Sequence, residues 1–441
     1  MEAVLLFILG VVIFIVGLVI SVALHEAGHL TFAKLFGVKV SQYMVGFGRT
    51  IWSRKIRGTE YGIKWILLGG YISMAGMFPP GSAANQAGRS RGMVGNLVQD
   101  ARDQSAETMN GADPKTAFYA AKPWKRIIIM FAGPFMNLVI AVIIAAILIT
   151  GFGTPAATIS GVAACVPASA SATAATKCTS SDPVAPASTS GLKAGDLIVS
   201  VNGVSYPSAT VITSMIQQSA GKPVTMVVKR HDKLKTITVT PVAAPRDEVD
   251  SSGLPVTNTS GDPVVETLGF IGVGFNVKLV PQPITATFGS VGTELGGIWS
   301  TFSTLPTGIV GVWNSVFAGA KRSESSPVSV VGVGRAIGDI SSTTDAPLKL
   351  RVYSILGLLG ELNLSLFILN LLPLLPLDGG HIVGAIWEAL KRGFARVFRR
   401  REPRPVDLAK LMPLTVVVVT VLIAVSALLI VADLVNPVQV G

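Results

Sequence analysis

Charge is scarce in this chain. Asp, Glu, Lys and Arg together make up 14% of 441 residues, while half the chain is apolar and the mean hydropathy is +0.58. Soluble domains carry about 25% charged residues, so a water-soluble globule of this length is excluded. Acidic residues are the scarcer sign, 25 against 36 Lys and Arg, leaving a formal charge of +11. Those basic residues are not interleaved with aromatics. They flank apolar runs, as the positive-inside rule expects of a membrane protein, and they give no reason to expect nucleic acid as a partner. No basic residue precedes the apolar run Val4–Val22, and Glu2 stands there instead, so a signal peptide is disfavoured and the segment is expected to be retained. No internal repeat is visible, which counts against a transporter.

Four apolar stretches near or above the roughly 20 residues needed to cross a bilayer remain: Ala3–Phe36, Ile127–Gly151, Ile355–Leu377 and Leu411–Val435. The segment between the first two is rich in Lys and Arg, and so is Lys391–Arg401, which places both in the cytoplasm. The fold class expected is therefore an α-helical polytopic membrane protein of about four spans, with both termini and a long middle segment outside. The division is 1–36 (first span), 37–78 (a β loop on the cytoplasmic side), 79–124 (a flexible cytoplasmic insertion) and 125–151 (second span). It continues with 155–276 (an extracytoplasmic α+β domain), 280–346 (interfacial amphipathic pieces), 352–378 (third span), 385–410 (a basic cytoplasmic loop) and 411–435 (fourth span).

The chemistry centres on His25-Glu26-Ala27-Gly28-His29 inside the first span. Two histidines four apart share one helix face and can grip one zinc ion, while the glutamate between them handles protons. Ionisable groups at that depth cost about 2.5–3.5 kcal/mol each on insertion scales, so a functional reason is needed. A third ligand is offered by Asp378, which follows Pro373 and Pro376 and precedes Gly379-Gly380. The prolines unwind the helix, the glycines allow close approach, and the carboxylate completes a His₂-carboxylate set with one position left for water. Asn370, two turns earlier, is placed to hydrogen-bond a substrate backbone or an oxyanion. His381 reads as structural rather than ligating.

Ile51–Gly76 alternates with frequent glycine and reads as strands, either a plain hairpin or a sheet edge beside the site that offers a peptide backbone partners. In the second span, Gly133-Pro134 is expected to break the helix, and Asn137 either reaches the site or bonds across to another helix. Cys165 and Cys178, both outside, form a disulfide or remain two free thiols. Gly191-Leu-Lys-Ala-Gly195-Asp196-Leu-Ile-Val-Ser-Val-Asn-Gly203 resembles the PDZ signature, with Ser208–Gln218 as the helix after it. Val166–Ser190 and Pro245–Pro263 read as loops. No chemistry is legible in Ser326–Gly334.

Taken together these residues resemble the site-2 protease family of intramembrane zinc metallopeptidases, in its bacterial regulator-of-sigma branch with PDZ insertion. Four blocks carry the resemblance in order: His25–His29, Gly69-Gly70-Tyr71-Ile-Ser-Met-Ala-Gly76, Ala132-Gly133-Pro134-Phe-Met-Asn137, and Asn370–Gly379. The resemblance implies a zinc metallo-endopeptidase of the bacterial cell membrane, with its active site toward the cytoplasmic side. Its substrate would be a single-span membrane protein, often an anti-sigma factor already trimmed by a site-1 protease. It also implies that the loop edge at Gly69, Gly70 and Tyr71 pairs with the substrate strand and that the PDZ domain excludes untrimmed substrates. One PDZ copy stands here where better-known members carry two. Clearance of leftover signal peptides, a membrane zinc carrier and a non-proteolytic scaffold are the rival readings.

Overall fold

The computed structural model describes residues 2–80, 92–109, 111–166, 178, 182–247, 265–319, 322, 326–344 and 346–438. They form two compact units, residues 1–147 with 285–441, and residues 148–284.

The first unit is helical. Its spans include α1 (Glu2–Leu35), α3 (Pro123–Ala146), α9 (Leu348–Leu371) and α11 (Met412–Val435). With their flanking turns, these are the four helices among the described residues long and apolar enough to cross a membrane. Such runs form helices because hydrocarbon offers no partner to an unpaired peptide group. The unit's surface fits that solvent, since Leu5, Ile8, Val12, Val417 and Ile423 all point outward. Between helices, small residues allow close approach. A Cβ on Gly28 would fall 2.4 Å from the Ala132 carbonyl of α3, and one on Gly10 would fall 2.2 Å from Ser341 Oγ.

After α1, a long antiparallel hairpin pairs β1 (Val40–Ile56) with β2 (Thr59–Met74). Arg57 and Gly58, both at positive φ, make its two-residue turn. The base of the hairpin is anchored by Val40, Met44 and Met74 in the core, while Trp52 and Trp65 near the tip are exposed.

Several expectations are corrected. Pro134 does not break α3, which runs through it unbroken. The insertion at 79–124 contains a helix, α2 (Met93–Met109), with residues 81–91 outside the described residues. The third span ends at Leu371, not 378. The basic segment 385–410 is not simply a loop: its first half, to Val397, belongs to α10 (Asp378–Val397), an amphipathic helix with Glu388 wholly buried. Segment 280–346, expected as amphipathic pieces, is not corrected: it forms three helices, α6 (Ala286–Ser303), α7 (Leu305–Phe317) and α8 (Val330–Ser342), none among the four of membrane-spanning length, the last packed on α1.

The second unit is built on a sheet with strand order β10-β3-β4-β6-β7, from β3 (Thr154–Val162), β4 (Leu197–Val201), β6 (Val224–Arg230), β7 (Lys233–Val239) and β10 (Val273–Val280). The short β5 (Val204–Ser205) pairs with β4, and β8 (Val242–Asp247) pairs with β9 (Val265–Phe270) in a separate ribbon. Pro245–Asp247, expected as loop, is therefore strand, and 248–263 lies outside the described residues. Two helices, α4 (Pro186–Ser190) and α5 (Ala209–Gln217), accompany the sheet. Ser208 caps α5 by accepting from Val211 N–H. Ile159, Ile198, Ile212, Val224 and Met226 fill the core. Asp196 of the Gly-Asp pair is buried, accepts from Lys193 N–H, and ion-pairs with Arg230 at 2.6 Å. Burial alone would raise its carboxyl, but the Arg230 guanidinium holds it below the usual carboxylate range. The Cys165 and Cys178 sulfurs lie at bonding distance, 2.03 Å.

Candidate active site

His25 and His29 lie one turn apart on α1, with their Nε2 atoms 3.2 Å from each other. Asp378 Oδ2 stands 3.3 Å from each of those nitrogens. Zinc holds N and O ligands at about 2.0–2.1 Å in a tetrahedron, which sets neighbouring donors roughly 3.3 Å apart. The three donors have that spacing. Among the described residues they are the one His/Cys/Asp/Glu group of three whose ligand atoms lie within 4.8 Å of one another.

The surroundings prepare the donors. His29 Nδ1 donates to the Ile129 carbonyl of α3 at 2.7 Å, which leaves the Nε2 lone pair for a metal. His25 Nδ1 lies 3.2 Å from the side-chain amide of buried Asn137. Asn137 Oδ1 has no other partner, so an amide turned with Oδ1 toward Nδ1 accepts its proton and frees His25 Nε2 in the same way. Gly133 gives the His29 ring its room, because a Cβ there would sit 2.1 Å from Nε2. These residues fit zinc.

Asp378 is positioned by the break after α9. Leu372–Leu377 leaves helical geometry, closed by Leu374 N–H to Leu372 O at 2.7 Å and Leu377 N–H to Leu374 O at 2.9 Å. Then α10 starts at Asp378 itself. A Cβ on Gly379 would lie 2.2 Å from the Leu372 carbonyl, so only glycine permits this re-entry.

A cavity of about 560 Å³ opens beside the donors, lined by His25, Glu26, Gly69, Gly70, Asn137 and Asn370. Glu26 accepts a backbone hydrogen bond from Ile72, which ties the β2 strand to the His25–His29 turn of α1. β1 pairs with both edges of β2 at Glu60–Ile63 but with only one edge of Gly70–Met74 among the described residues, so the other edge of that end of β2 is left unpaired by strands beside the cavity. Tyr71 does not line it. Its ring stacks on Phe47, centroids 6.3 Å apart, and its hydroxyl donates to Gln42 Oε1 at 3.2 Å.

Residues 13–401 match peptidase family M50. The chain belongs to this family, the site-2 proteases. It is 33% identical over 446 residues to the zinc metalloprotease Rip1 of Mycobacterium tuberculosis, covering 98% of this chain and 99% of that protein. It is 27% identical to the zinc metalloprotease RasP of Oceanobacillus iheyensis over 86% of this chain and 91% of that one. The metalloprotease MmpA of Caulobacter vibrioides is 26% identical over 86% of each. The protein is a zinc metallopeptidase.

Sequence reasoning left part of this M50 site unread. Asn137 does both things open to it: it bonds across to α1, and its partner there is His25 of the site. Val328–Val331, before and at the start of α8, line the same cavity, as do Ser426, Leu429 and Ile430 of α11. Apart from Ser329, which caps α8, and Ser426, these are bland apolar positions that carry no chemical signal. His381 packs between Phe78 and Phe118 and is not among the clustered donors. Asn363 donates to Ser21 Oγ at 3.0 Å and to Leu359 O at 2.8 Å, pinning α9 to α1.

Proposed function

We propose that this M50 peptidase cuts single-span membrane proteins within the bilayer, at the step that follows external trimming by a site-1 protease, and that anti-sigma factors are its main substrates. The observation that carries this reading is the zinc-spaced donor triangle facing a largely apolar cavity next to a free β edge, all among helices of membrane-spanning length. A substrate helix hides its peptide groups, so it must unwind before it is cut. The edge at Gly69-Gly70 gives the unwound strand its backbone partners. Asn370 holds a substrate carbonyl, or the oxyanion that develops from it. Glu26 takes the proton of the attacking water and returns it to the leaving amine. His25, His29 and Asp378 would hold zinc, which when bound would supply Lewis-acid polarisation and a water of lowered pKa, toward about 7.

The basic segments lie in the cytoplasm, with both termini and the second unit outside. That unit acts as a single PDZ domain, sizing or holding the trimmed substrate. The ordering of β4, α5 and β6 after the Gly-Asp turn, with Asp196 buried on Arg230, supports that reading.

The test is cleavage of a reconstituted single-span substrate by wild type and Glu26→Gln, with zinc content measured in both. Zinc in both proteins and cutting by wild type alone is the expected result. Equal cutting by the variant would overturn the role of Glu26. Bound zinc without cutting of any single-span substrate, anti-sigma factor or signal-peptide remnant would favour the zinc-carrier reading.

A further inference from the structure

A second cavity, about 390 Å³, lies between α10 and α11 and is separate from the one beside the zinc donors. Its volume falls in the range of ligand sites, roughly 300–1,000 Å³. Its floor is apolar, formed by Leu375, Val383, Gly384, Leu411, Leu414 and Val418. Trp387 and Lys410 stand on its lining as well, and Lys391 Nζ lies 5.2 Å from the centre of the Trp387 ring. The one carboxylate on the lining, Asp407, is already engaged by Arg102 at 2.5 Å and by Ala409 N–H. Neither Lys410, on the lining, nor Lys391, off it beside Trp387, pairs with a carboxylate among the described residues, and Arg102 balances Asp407, so both ammonium groups are left to meet an anion at an apolar floor.

The setting fits a lipid. α11 is almost entirely unburied along its apolar length, so a chain can enter from the side. α10 exposes Val383, Ile386, Trp387, Leu390 and Phe394 along one apolar side and carries Lys391, Arg392 and Arg396 toward its end, the pattern of a helix lying in a membrane interface. Basic pockets between membrane helices on such a face take anionic headgroups.

We propose that this cavity seats an anionic phospholipid, with one acyl chain between α10 and α11 and the phosphate held by Lys391 and Lys410. The Leu374–Leu375 wall of the seat belongs to the turn that delivers Asp378, so the bound lipid braces that turn from behind.

The experiment is a thermal melt of the full-length protein in nonionic detergent, titrated with palmitoyl-oleoyl phosphatidylglycerol or with phosphatidylcholine of the same chains. Phosphatidylglycerol is expected to raise the melting temperature at lower concentration. Lys391→Gln and Lys410→Gln should each shift the phosphatidylglycerol midpoint about fivefold, from about 1 kcal/mol per charge, and leave phosphatidylcholine unchanged. Arg401→Gln, in the same basic stretch of sequence but off the cavity lining, should shift neither. Leu414→Trp, filling the floor, should weaken both lipids. Equal response of the wild type to the two lipids overturns the proposal. So does a preference that survives loss of both lysines, or one that Arg401→Gln reduces as much as they do.

Discussion

Gly133→Ala is the sharpest perturbation the site offers, because it adds one methyl group and touches no ligand. That methyl would stand 2.1 Å from His29 Nε2 and 2.6 Å from the two ring carbons beside it. Restoring ordinary contact requires the ring to move by about 1.3 Å, whereas a metal site tolerates about 0.2 Å in its ligand distances. The ring cannot swing freely, since Nδ1 is held at 2.7 Å by the Ile129 carbonyl of the same helix. Loss of a ligand's orientation weakens metal binding by roughly 10–100-fold, and misplacement by about 1 Å costs a further 10² in rate. The assay is zinc per polypeptide after equilibration with a graded series of chelators, alongside cleavage of a reconstituted substrate. Gly357→Ala is the control, because a Cβ there meets nothing within 4 Å. The variant should lose zinc at a chelator strength that the wild type and the control withstand, with cleavage at least a hundredfold slower. Wild-type zinc retention together with wild-type cleavage in Gly133→Ala would refute the packing argument for the Ala-Gly-Pro block.

Asn137→Leu removes the acceptor that faces His25 and should weaken zinc binding about 10–100-fold, while Asn137→Asp keeps an acceptor and retains most of it; the same chelator series reads both. Glu388→Ala strands Arg126, which is buried against it, and should cost about 3–5 kcal/mol, seen as a large fall in melting temperature. Methionine at both 126 and 388 should recover most of that loss, and a double variant no better than Glu388→Ala would contradict this. The lowered pKa of Asp196 means its contribution is full above the ordinary Asp value of about 3.9 and is lost as pH falls through its folded value. The gap in amide-exchange protection of β4 and β6 between wild type and Asp196→Asn, corrected for intrinsic rates, should therefore shrink on acidification below about pH 4. A gap that widens there would reverse the sign of the argument.

What could be read in the chain follows from how each residue declares itself. His25 and His29 are legible because helical spacing alone puts them on one face, and Asp378 because two prolines and two glycines announce a broken helix around a carboxylate. Pro134 misled for a physical reason. A proline removes one helix bond, but a helix packed on its neighbours bridges that gap without bending apart. α10 was hidden by its own charge, since the density of Lys and Arg from 391 to 401 reads as a solvated loop. The signal in it was Glu388, a carboxylate placed to neutralise Arg126 and Arg392 from inside the fold. Val328, Val330, Val331, Leu429 and Ile430 are plain apolar residues. Their place on the wall of the catalytic cavity comes from the way α8 and α11 pack, which local sequence does not encode.

The bond from His29 to Ile129 has a consequence for how this enzyme tolerates mutation. The group that fixes the imidazole is a peptide carbonyl, and every amino acid at position 129 supplies one. Substitution scanning there will register only side-chain packing and will pass over the metal ligand's anchor. The anchor is lost when the phase of α3 changes, as after insertion or deletion of a single residue between Lys122 and Ile129, which rotates the carbonyl by about 100° around the helix axis. For this one bond the identity of the residue at 129 is immaterial, and the number of residues before it is not.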